Sequence, residues 1–372
     1  MKKKLTFFFF AEQLSLNEVI SKIKGVTIVD SKESAELVLK KLMQLKNVYH
    51  ACDTETIDIE VKKQSPVGHG KIICASIYCG PEFDFGNGPR IWINNFDEAE
   101  GTINYFKEYF EDPSIKKVWH NYSFDKHILE NHGMKPKGFG GDTMHMARLW
   151  NSSRNTSGGY SLAQLSKELL EENQNKKTMV ELFGRVTMKI DGTEGKEVEV
   201  PPIEELQRNS ETIEGWINYS TLDTESTWYL RKKLHQFLAD MHWHTNSKGT
   251  YSMWNFYEKF FIPFGDLLTE METEGVKVDV EYLKQIEQVA LKDLEKCQQA
   301  FRDWASKYCP DAFYMNTNSA SQKQQLFFAP AINIKTKQPM PLEAEFKVPN
   351  VEGYIEEGKK KATKHRKIIL KG

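Results

Sequence analysis

Two acidic residues follow a short apolar run near the start of the chain, and they constrain how this region can fold. Residues 48–52 have the length and composition of a buried β-strand, and Asp53 and Glu55 come directly after it, in an expected loop. Side chains at positions i and i+2 leave a strand on the same side, so both carboxylates can reach one ion. Hard divalent cations prefer such oxygens. Most isolated pairs of this kind are surface carboxylates, but the position at a strand end favours a metal site.

A further acidic residue, Asp125, is predicted where a strand meets a helix. The strand that ends at Trp119 delivers Asn121 to the edge of the sheet, and the next helix begins with Asp125 facing back towards it. A simpler interpretation makes Ser123 the N-cap and Asp125 an acid that favours the helix dipole. The two interpretations are compatible.

A third pattern pairs Tyr219 with Asp223 on a long predicted helix. The spacing i, i+4 places the phenol and the carboxylate on one face, one turn apart. Such pairs are common, and a tyrosine here would ordinarily be half-buried packing. The pair gains significance because Asp223 would complete a set of four carboxylates with Asp53, Glu55 and Asp125.

The pattern of elements before residue 161 predicts an α/β domain. Apolar runs bounded by turn residues predict strands, and apolar residues at helical spacing predict helices. Mixed strands that later alternate with helices fit a sheet covered by helices. The predicted strands are 26–29, 48–52, 71–78, 90–94 and 116–119, and the predicted helices are 31–45, 98–110 and 124–131.

After residue 161 the pattern is mostly helical, with two exceptions. Alternating apolar residues at 184–200, interrupted by Asp191-Gly192, predict a β-hairpin. The polar stretch 244–250, which follows a long helix predicted over 212–240, is the expected domain boundary. The chain would then consist of an N-terminal extension (1–25), a first domain (26–243) and a mostly helical region (251–372).

The helical region contains two long predicted helices and a basic end. The helix over 251–273 should break or kink near Pro263, and a second helix spans 280–307. From about residue 310 the chain has few large apolar clusters, so we expect loops and short helices that lean on a neighbour. The basic end, 359–371, is expected to be a solvated run that contacts duplex phosphates, or a disordered tail.

Composition excludes several functional classes. The chain has 50 Lys and Arg against 52 Asp and Glu, a net charge of −2, so it does not bind nucleic acid through bulk charge. No stretch approaches the ~18 apolar residues of a membrane span. The start, MKKKLTFFFF, is too short in its apolar part for a signal peptide, so no clear targeting peptide is predicted. Five scattered cysteines without a C-x-x-C motif predict reduced thiols and a reducing intracellular compartment.

The acidic motifs, taken in order, resemble those of the DEDD exonucleases, in the variant with tyrosine in the last motif. Later segments of the chain resemble those of one group that carries such motifs, the family A DNA polymerases. Members of that family have a helix ending in M-E-x-x-G and a thumb segment N-S-x-x-Q-L. Two further segments resemble the plant and protist organellar branch. The matching stretches here are Trp254–Leu283 (with Met271-Glu272, Gly275 and Val278-Asp279), 316–328, 62–70 and 346–361.

The resemblance implies a ribonuclease H-like 3′–5′ exonuclease domain followed by part of a polymerase thumb. It implies two divalent metal ions, Mg²⁺ with Mn²⁺ as a substitute, and DNA as the partner, unpaired at its 3′ end and duplex along the thumb-like helices. Tyr219 would orient the attacking water. The implied metal ligands are Asp53, Glu55, Asp125 and Asp223, and the implied substrate-binding residues are Thr54, Ile59, Asn121 and Phe124.

The chain departs from the family in one respect, because no palm or finger motif occurs before Gly372. The resemblance therefore implies a proofreading exonuclease whose palm and fingers are missing or separate, with no primer extension by this chain alone. It also implies a mitochondrial or plastid location. Two other interpretations stay open: a DNA-binding accessory fragment with an idle nuclease site, and an RNA-trimming exonuclease of the ribonuclease D kind.

Overall fold

A computed structural model of the protein describes residues 15–154, 159–171, 178–188, 194–246, 249–333 and 337–372. The chain divides into two compact units, one ending at Gly275 and the other beginning at Val276. Over these described ranges, the helices are too short or too polar to cross a bilayer.

A mixed sheet forms the centre of the first unit. Its strand order is β1-β4-β3-β2-β5-β6; β3 runs antiparallel to β2 and β4, and the other neighbours are parallel. This sheet and its flanking helices confirm the predicted ribonuclease H-like α/β fold. The strands are β1 Val26–Val29, β2 Tyr49–Ile57, β3 Lys71–Tyr78, β4 Arg90–Asn94, β5 Lys116–Trp119 and β6 Phe139–Asp142.

Helices cover both faces of this sheet. One apolar cluster joins the sheet to α2 and α4, and a second joins it to α9. The helices of this unit are α1 Leu16–Lys22, α2 Lys32–Leu42, α3 Lys107–Glu111, α4 Tyr122–Asn131, α5 Thr143–Trp150, α6 Leu162–Leu169, α7 Met179–Phe183, α8 Ile203–Arg208, α9 Ile213–Asp240, α10 Met253–Phe256 and α11 Ile262–Glu274.

Several predicted elements are confirmed, and others differ for local reasons. The bounds of β1, β3, β4 and β5 agree with the prediction. The helix predicted over 98–110 was wrong: 3₁₀ turns at Asp97–Ala99 and Thr102–Phe106 precede α3, and Gly101 between them has φ 92°. Strand β6 went unrecognised because Gly140 and Gly141 give its sequence no strand pattern.

The predicted hairpin at 184–200 is present as β7 Arg185–Met188 paired with β8 Glu194–Glu199. The predicted turn Asp191-Gly192 and the alternating Ile190 lie outside the described residues. The predicted boundary stretch instead contributes to another hairpin, β9 His242–Asn246 and β10 Gly249–Ser252.

The first compact unit extends beyond that hairpin. Trp254 and Tyr257 share an apolar cluster with Leu230 and Leu234 of α9, which ties the following helices to the nuclease-like core. The unit therefore ends at Gly275, later than the expected linker. The predicted break near Pro263 is confirmed, because a π-helical segment, Tyr257–Phe261, precedes α11, which carries Pro263 in its first turn.

The second unit has more structure than the sequence indicated. It contains α12 Val280–Ala305, a 3₁₀ turn Pro310–Tyr314, α13 Ala320–Phe328, and the antiparallel strands β11 Glu343–Pro349 and β12 His365–Lys371. Its own apolar cluster consists of Ala305, Cys309, Ala312, Met315, Val348, Ile368 and Leu370.

The expected short helical elements are present as the 3₁₀ turn and α13, but the expectation that this segment leans on a neighbour was wrong, because residues of β11 and β12 contribute to an apolar cluster of its own. The basic end is not simply a tail either. Two of its lysines pair with glutamates of the facing strand, Lys371 with Glu343 at 2.6 Å and Lys367 with Glu345 at 2.9 Å. These pairs reduce the net positive charge that this end presents.

The cysteines are unpaired, as predicted. Cys52, Cys74, Cys79 and Cys309 are buried, and Cys297 is exposed. The buried thiols behave as small core residues.

A buried polar network supports the start of β2. His50 is fully buried, with Nδ1 3.0 Å from the Tyr109 hydroxyl and Nε2 2.9 Å from the Leu45 carbonyl oxygen. Burial lowers the pKa of His50 to about 4, although the bond to Leu45 opposes this shift. The folded protein therefore keeps this ring neutral at a pH where an exposed histidine would be charged.

Lowering the pH from 7 to 5 should reduce the free energy of unfolding by about 2 kcal/mol through His50 alone. Between the unfolded pKa near 6.5 and the folded value of about 4, the unfolded chain binds a proton that the folded chain does not. Urea unfolding at both pH values, for wild type and His50→Gln, measures this contribution. An identical loss of stability in the two proteins would contradict it.

Candidate active site

Asp53 and Glu55 lie within β2 rather than in the loop that the sequence predicted after Cys52. The strand continues to Ile57 because β3 keeps pairing with it: Asp53 lies opposite Ser76 and Glu55 opposite Cys74. The two acids share one face of the strand, and Thr54 between them is buried on the other. The i, i+2 spacing therefore places both carboxylates on the same side, as expected, although they lie inside the strand and not after it.

Helix α9 brings the third carboxylate to this face. It packs across β2 and β3, where the Ser76 hydroxyl donates to the Ser220 carbonyl oxygen at 2.8 Å. Further along, the Trp228 indole N–H donates to the Tyr49 carbonyl oxygen at 3.2 Å. These bonds fix the helix on the strands, so Asp223, three residues after Ser220, is held over the acidic pair.

In the part of the chain that the structure describes, the carboxylates of Asp53, Glu55 and Asp223 converge. Each offers an oxygen within 4.8 Å of the other two, and Asp223 is buried. Like charges this close repel strongly, and a divalent cation with oxygen preference offsets that repulsion. The donor set therefore fits the divalent metal ions that this nuclease fold implies.

The negative charge of the acidic group affects the Cys74 thiol on the neighbouring strand, β3. Burial raises the pKa of the Cys74 thiol well above its usual value, and the Glu55 carboxylate raises it further. Cys74 is therefore a neutral core thiol beside the acids. It is unsuited to act as a thiolate ligand there.

Asp125, predicted as the fourth carboxylate, is held by Thr54. Its Oδ1 accepts the Thr54 backbone N–H at 2.9 Å and the Thr54 hydroxyl at 2.7 Å. Burial raises the pKa of the Asp125 carboxyl, and the two bonds from Thr54 oppose that rise. Asp125 thus joins α4 to β2 at Thr54, the residue between the two acids. That Asp125 binds metal stays a prediction.

The turn into α4 differs from the simpler interpretation, in which Ser123 caps the helix. The N-cap is Asn121, which has φ 72°, in the left-handed region that asparagine tolerates better than most residues. Its backbone N–H donates to Asp142 Oδ1 at 3.2 Å, and its side chain is exposed. The prediction that Asn121 contacts substrate requires such an accessible side chain.

The other residues expected to bind substrate or water occupy varied environments. Ile59 and Phe124 are half-buried, and Phe124 packs against the main core. The Tyr219 ring stacks on Trp216, with centroids 5.9 Å apart, and meets Phe183 edge-on at 6.4 Å. Aromatic packing therefore fixes the Tyr219 ring, while its part in orienting water stays a prediction.

Asp142 is a supporting residue that the sequence analysis missed. It is fully buried, and its carboxylate accepts the backbone N–H groups of Tyr122 at 2.8 Å and Met144 at 2.8 Å. It thereby caps α5 and fixes the turn that begins α4. An aspartate followed by a helical pattern was the available signal.

Comparisons with known proteins agree with this geometry. A family model described as 3′–5′ exonuclease matches residues 26–239. DNA polymerase I A, chloroplastic/mitochondrial, of Arabidopsis thaliana is 48% identical over 96% of this chain and 35% of its own length. DNA polymerase I A, chloroplastic, of Oryza sativa subsp. japonica is 48% identical over 93% of this chain and 34% of its own. The chain thus spans about a third of the length of these curated relatives.

A solved structure shares the fold. The POL domain of Pol1 from M. smegmatis, in complex with DNA primer-template and dNTP, matches 85% of this chain and 43% of its own, with a TM-score of 0.53 and 15% identity. The plant relatives confirm the sequence-based resemblance to family A polymerases of the organellar type.

Divalent metal should stabilise the wild-type protein and have much less effect on an Asp53→Ala, Glu55→Ala double variant. A ligand that binds only the folded state contributes about 2.7 kcal/mol at a hundred times its Kd. Thermal unfolding with Mg²⁺, Mn²⁺ or EDTA measures the shift in Tm. A Glu33→Ala, Glu36→Ala variant, which removes two exposed acids of α2, is the matched control. An equal metal-dependent shift in all three proteins would place the metal elsewhere.

Proposed function

The chain belongs to the 3′–5′ exonuclease family, and we propose that it removes nucleotides from DNA 3′ ends as the proofreading module of an organellar family A polymerase. The observation that carries this proposal is the convergence of Asp53, Glu55 and Asp223 from a strand and a distant helix. A protein that only binds DNA has no use for three converging acids, which repel phosphate.

We infer that these three residues hold divalent metal, with Mg²⁺ as the natural ion and Mn²⁺ as a substitute. When bound at such a site, two ions supply a hydroxide nucleophile and stabilise the leaving oxygen. Asp125 is proposed to contribute from α4, where Thr54 holds it. The protein's own contribution is to hold the carboxylates close together, where a bound cation would offset their mutual repulsion.

The remaining site residues are proposed to handle water and the terminal nucleotide. Tyr219 would orient the attacking water through its hydroxyl, which can donate and accept without ionising. Thr54 and Asn121 would position the terminal nucleotide through polar groups. Ile59 and Phe124 would contact the terminal base. Their side chains are half-buried, so part of each side chain is exposed and can make this contact.

The proposed partner is DNA, with an unpaired 3′ end in the site and duplex along the thumb-like helices α11 and α12. Helix α12 is exposed along most of its length and carries charges of both signs. Duplex binding by such a surface should be salt-sensitive. The relatives are named as chloroplastic or mitochondrial proteins, so we propose a plastid or mitochondrial location.

Single-stranded and mispaired 3′ ends should be degraded faster than paired ends. Extruding a terminal base from a duplex costs a few kcal/mol, and the site must receive an unpaired strand. The measurement uses 3′-labelled single strands of DNA and RNA, and paired or mispaired primers, with Mg²⁺ or EDTA. The Asp53→Ala, Glu55→Ala variant should be inactive on every substrate.

Other outcomes of this assay identify the competing functions. Equal rates on paired and mispaired ends would contradict proofreading. Faster hydrolysis of RNA than of DNA would indicate an RNA-trimming enzyme instead. DNA binding without hydrolysis would indicate an accessory fragment with an idle site.

Tyr219→Phe should slow cleavage without abolishing it. The ring contacts with Trp216 and Phe183 remain, so only the hydroxyl is lost. The loss in kcat should stay below the roughly 10²–10⁴-fold contribution of a general acid–base group. Single-turnover rates for Tyr219→Phe and Asp223→Ala test this, and equal inactivity of the two variants would show that Tyr219 has another role.

A further inference from the structure

Helix α4 lies between the acidic strand and α11, and it contacts both. On one side, Asp125 accepts two hydrogen bonds from Thr54 of β2. On the other side, Lys126 and His127, the next two residues, face α11. Helix α4 therefore links the acidic strand to α11.

A row of polar contacts joins α4 to α11, and the Thr273 hydroxyl of α11 lies near His127 Nδ1 at 3.4 Å and Glu130 Oε2 at 3.3 Å as well. The Tyr122 hydroxyl donates to Asp266 Oδ1 at 3.1 Å, and Lys126 Nζ donates to Thr269 Oγ1 at 2.5 Å. His127 Nε2 lies 2.9 Å from Glu272 Oε2. On α11, Asp266, Thr269 and Glu272 are spaced by three, so they form one stripe along that helix.

These contacts involve side chains of α4 that are shielded from water. His127 is 1% exposed and Lys126 is 7% exposed, so each depends on protein partners for its hydrogen bonds. Glu272 is different, because its side chain is 52% exposed in its pair with His127. Removing Glu272 therefore takes away the partner of His127 Nε2, while Nδ1 keeps its contacts with Glu130 and Thr273.

Helix α11 also has a close fit against β6. A Cβ atom on Gly265 would lie 2.9 Å from Phe139 Cε1, so the small residue permits this approach. Phe139 in turn stacks on Tyr122 of α4, with centroids 4.1 Å apart and planes 14° from parallel. The helix is therefore seated at a fixed distance from both elements.

We propose that Glu272 is a positioning residue for the nuclease site, which holds α4 through His127 and so keeps Asp125 bonded to Thr54. Its consequence for hydrolysis rests on the proposed function. Met271-Glu272 and Gly275 are the residues that resemble the opening of a polymerase region. In this protein, Glu272 acts inside the nuclease unit, so that segment is a working part of the exonuclease.

The test compares Glu272→Ala with Glu272→Gln and Glu274→Ala in the full chain. Glutamine keeps an acceptor oxygen for His127, and Glu274, two residues further along the helix, points away from Glu272. Hydrogen exchange of the Thr54 amide reports its bond to Asp125 without requiring activity. The values of kcat, KM and Tm on single-stranded DNA with Mg²⁺ give the second readout.

Glu272→Ala should speed exchange of the Thr54 amide and lower kcat by about 5- to 50-fold, since small misplacements at a site cost up to about a hundredfold. KM should change less than kcat, because Ile59 lies outside α4, whereas Asn121 and Phe124 would be displaced together with that helix. Glu272→Gln should recover most of kcat, and Glu274→Ala should match wild type in both readouts.

Unchanged exchange and kcat in Glu272→Ala would overturn the proposal, as would an equal loss in Glu274→Ala or no recovery in Glu272→Gln. Faster exchange with wild-type kcat would overturn the link to hydrolysis. If the wild-type protein itself does not hydrolyse DNA, the proposed function fails. The exchange comparison alone then decides whether Glu272 positions α4.

Discussion

Two hydrogen bonds from Thr54 to one oxygen of Asp125 connect the strand that carries the acids to the helix behind it. The strand cannot shift relative to α4 without breaking them, because both donors belong to a residue flanked by Asp53 and Glu55. Burial makes these bonds costly to lose, since an unsatisfied buried carboxyl costs far more than an exposed one. The geometry of the nuclease site depends on this junction.

The converging carboxylates work against stability in the absence of metal, and the rest of the fold tolerates this because it is anchored elsewhere. Asp142 caps α5 and fixes the turn into α4, and α9 is bonded to β2 and β3 along its length. A rigid frame around a mutually repelling group is a suitable arrangement for a metal-dependent enzyme. Under the proposed function, such a frame would hold the carboxylates in place before an ion binds, so that little reorganisation would be needed.

The boundary between the two compact units does not coincide with the start of the segment that resembles a polymerase. The segment that resembles the opening of the polymerase region begins within the first unit. There, Trp254 and Tyr257 share an apolar cluster with residues of α9, and α11 forms hydrogen bonds with α4. A boundary read from polarity at 244–250 falls instead in a hairpin region. The second unit builds its own small core around β11 and β12, with charge pairs across the hairpin.

The sequence by itself determined the local features: the bounds of β1, β3, β4 and β5, the shared face of Asp53 and Glu55, and the position of Asp223 on a long helix. These follow from the repeat of a strand or helix, which short-range geometry sets. The sequence motifs led us to expect Asp223 beside the acidic pair, and tertiary packing brings it there. Tertiary structure alone decided that Asp125 bonds to Thr54 and that α11 belongs to the first unit. Glycines in β6 and polar residues at 244–250 misled the local reading, because contacts between residues far apart in sequence depend on how whole elements pack.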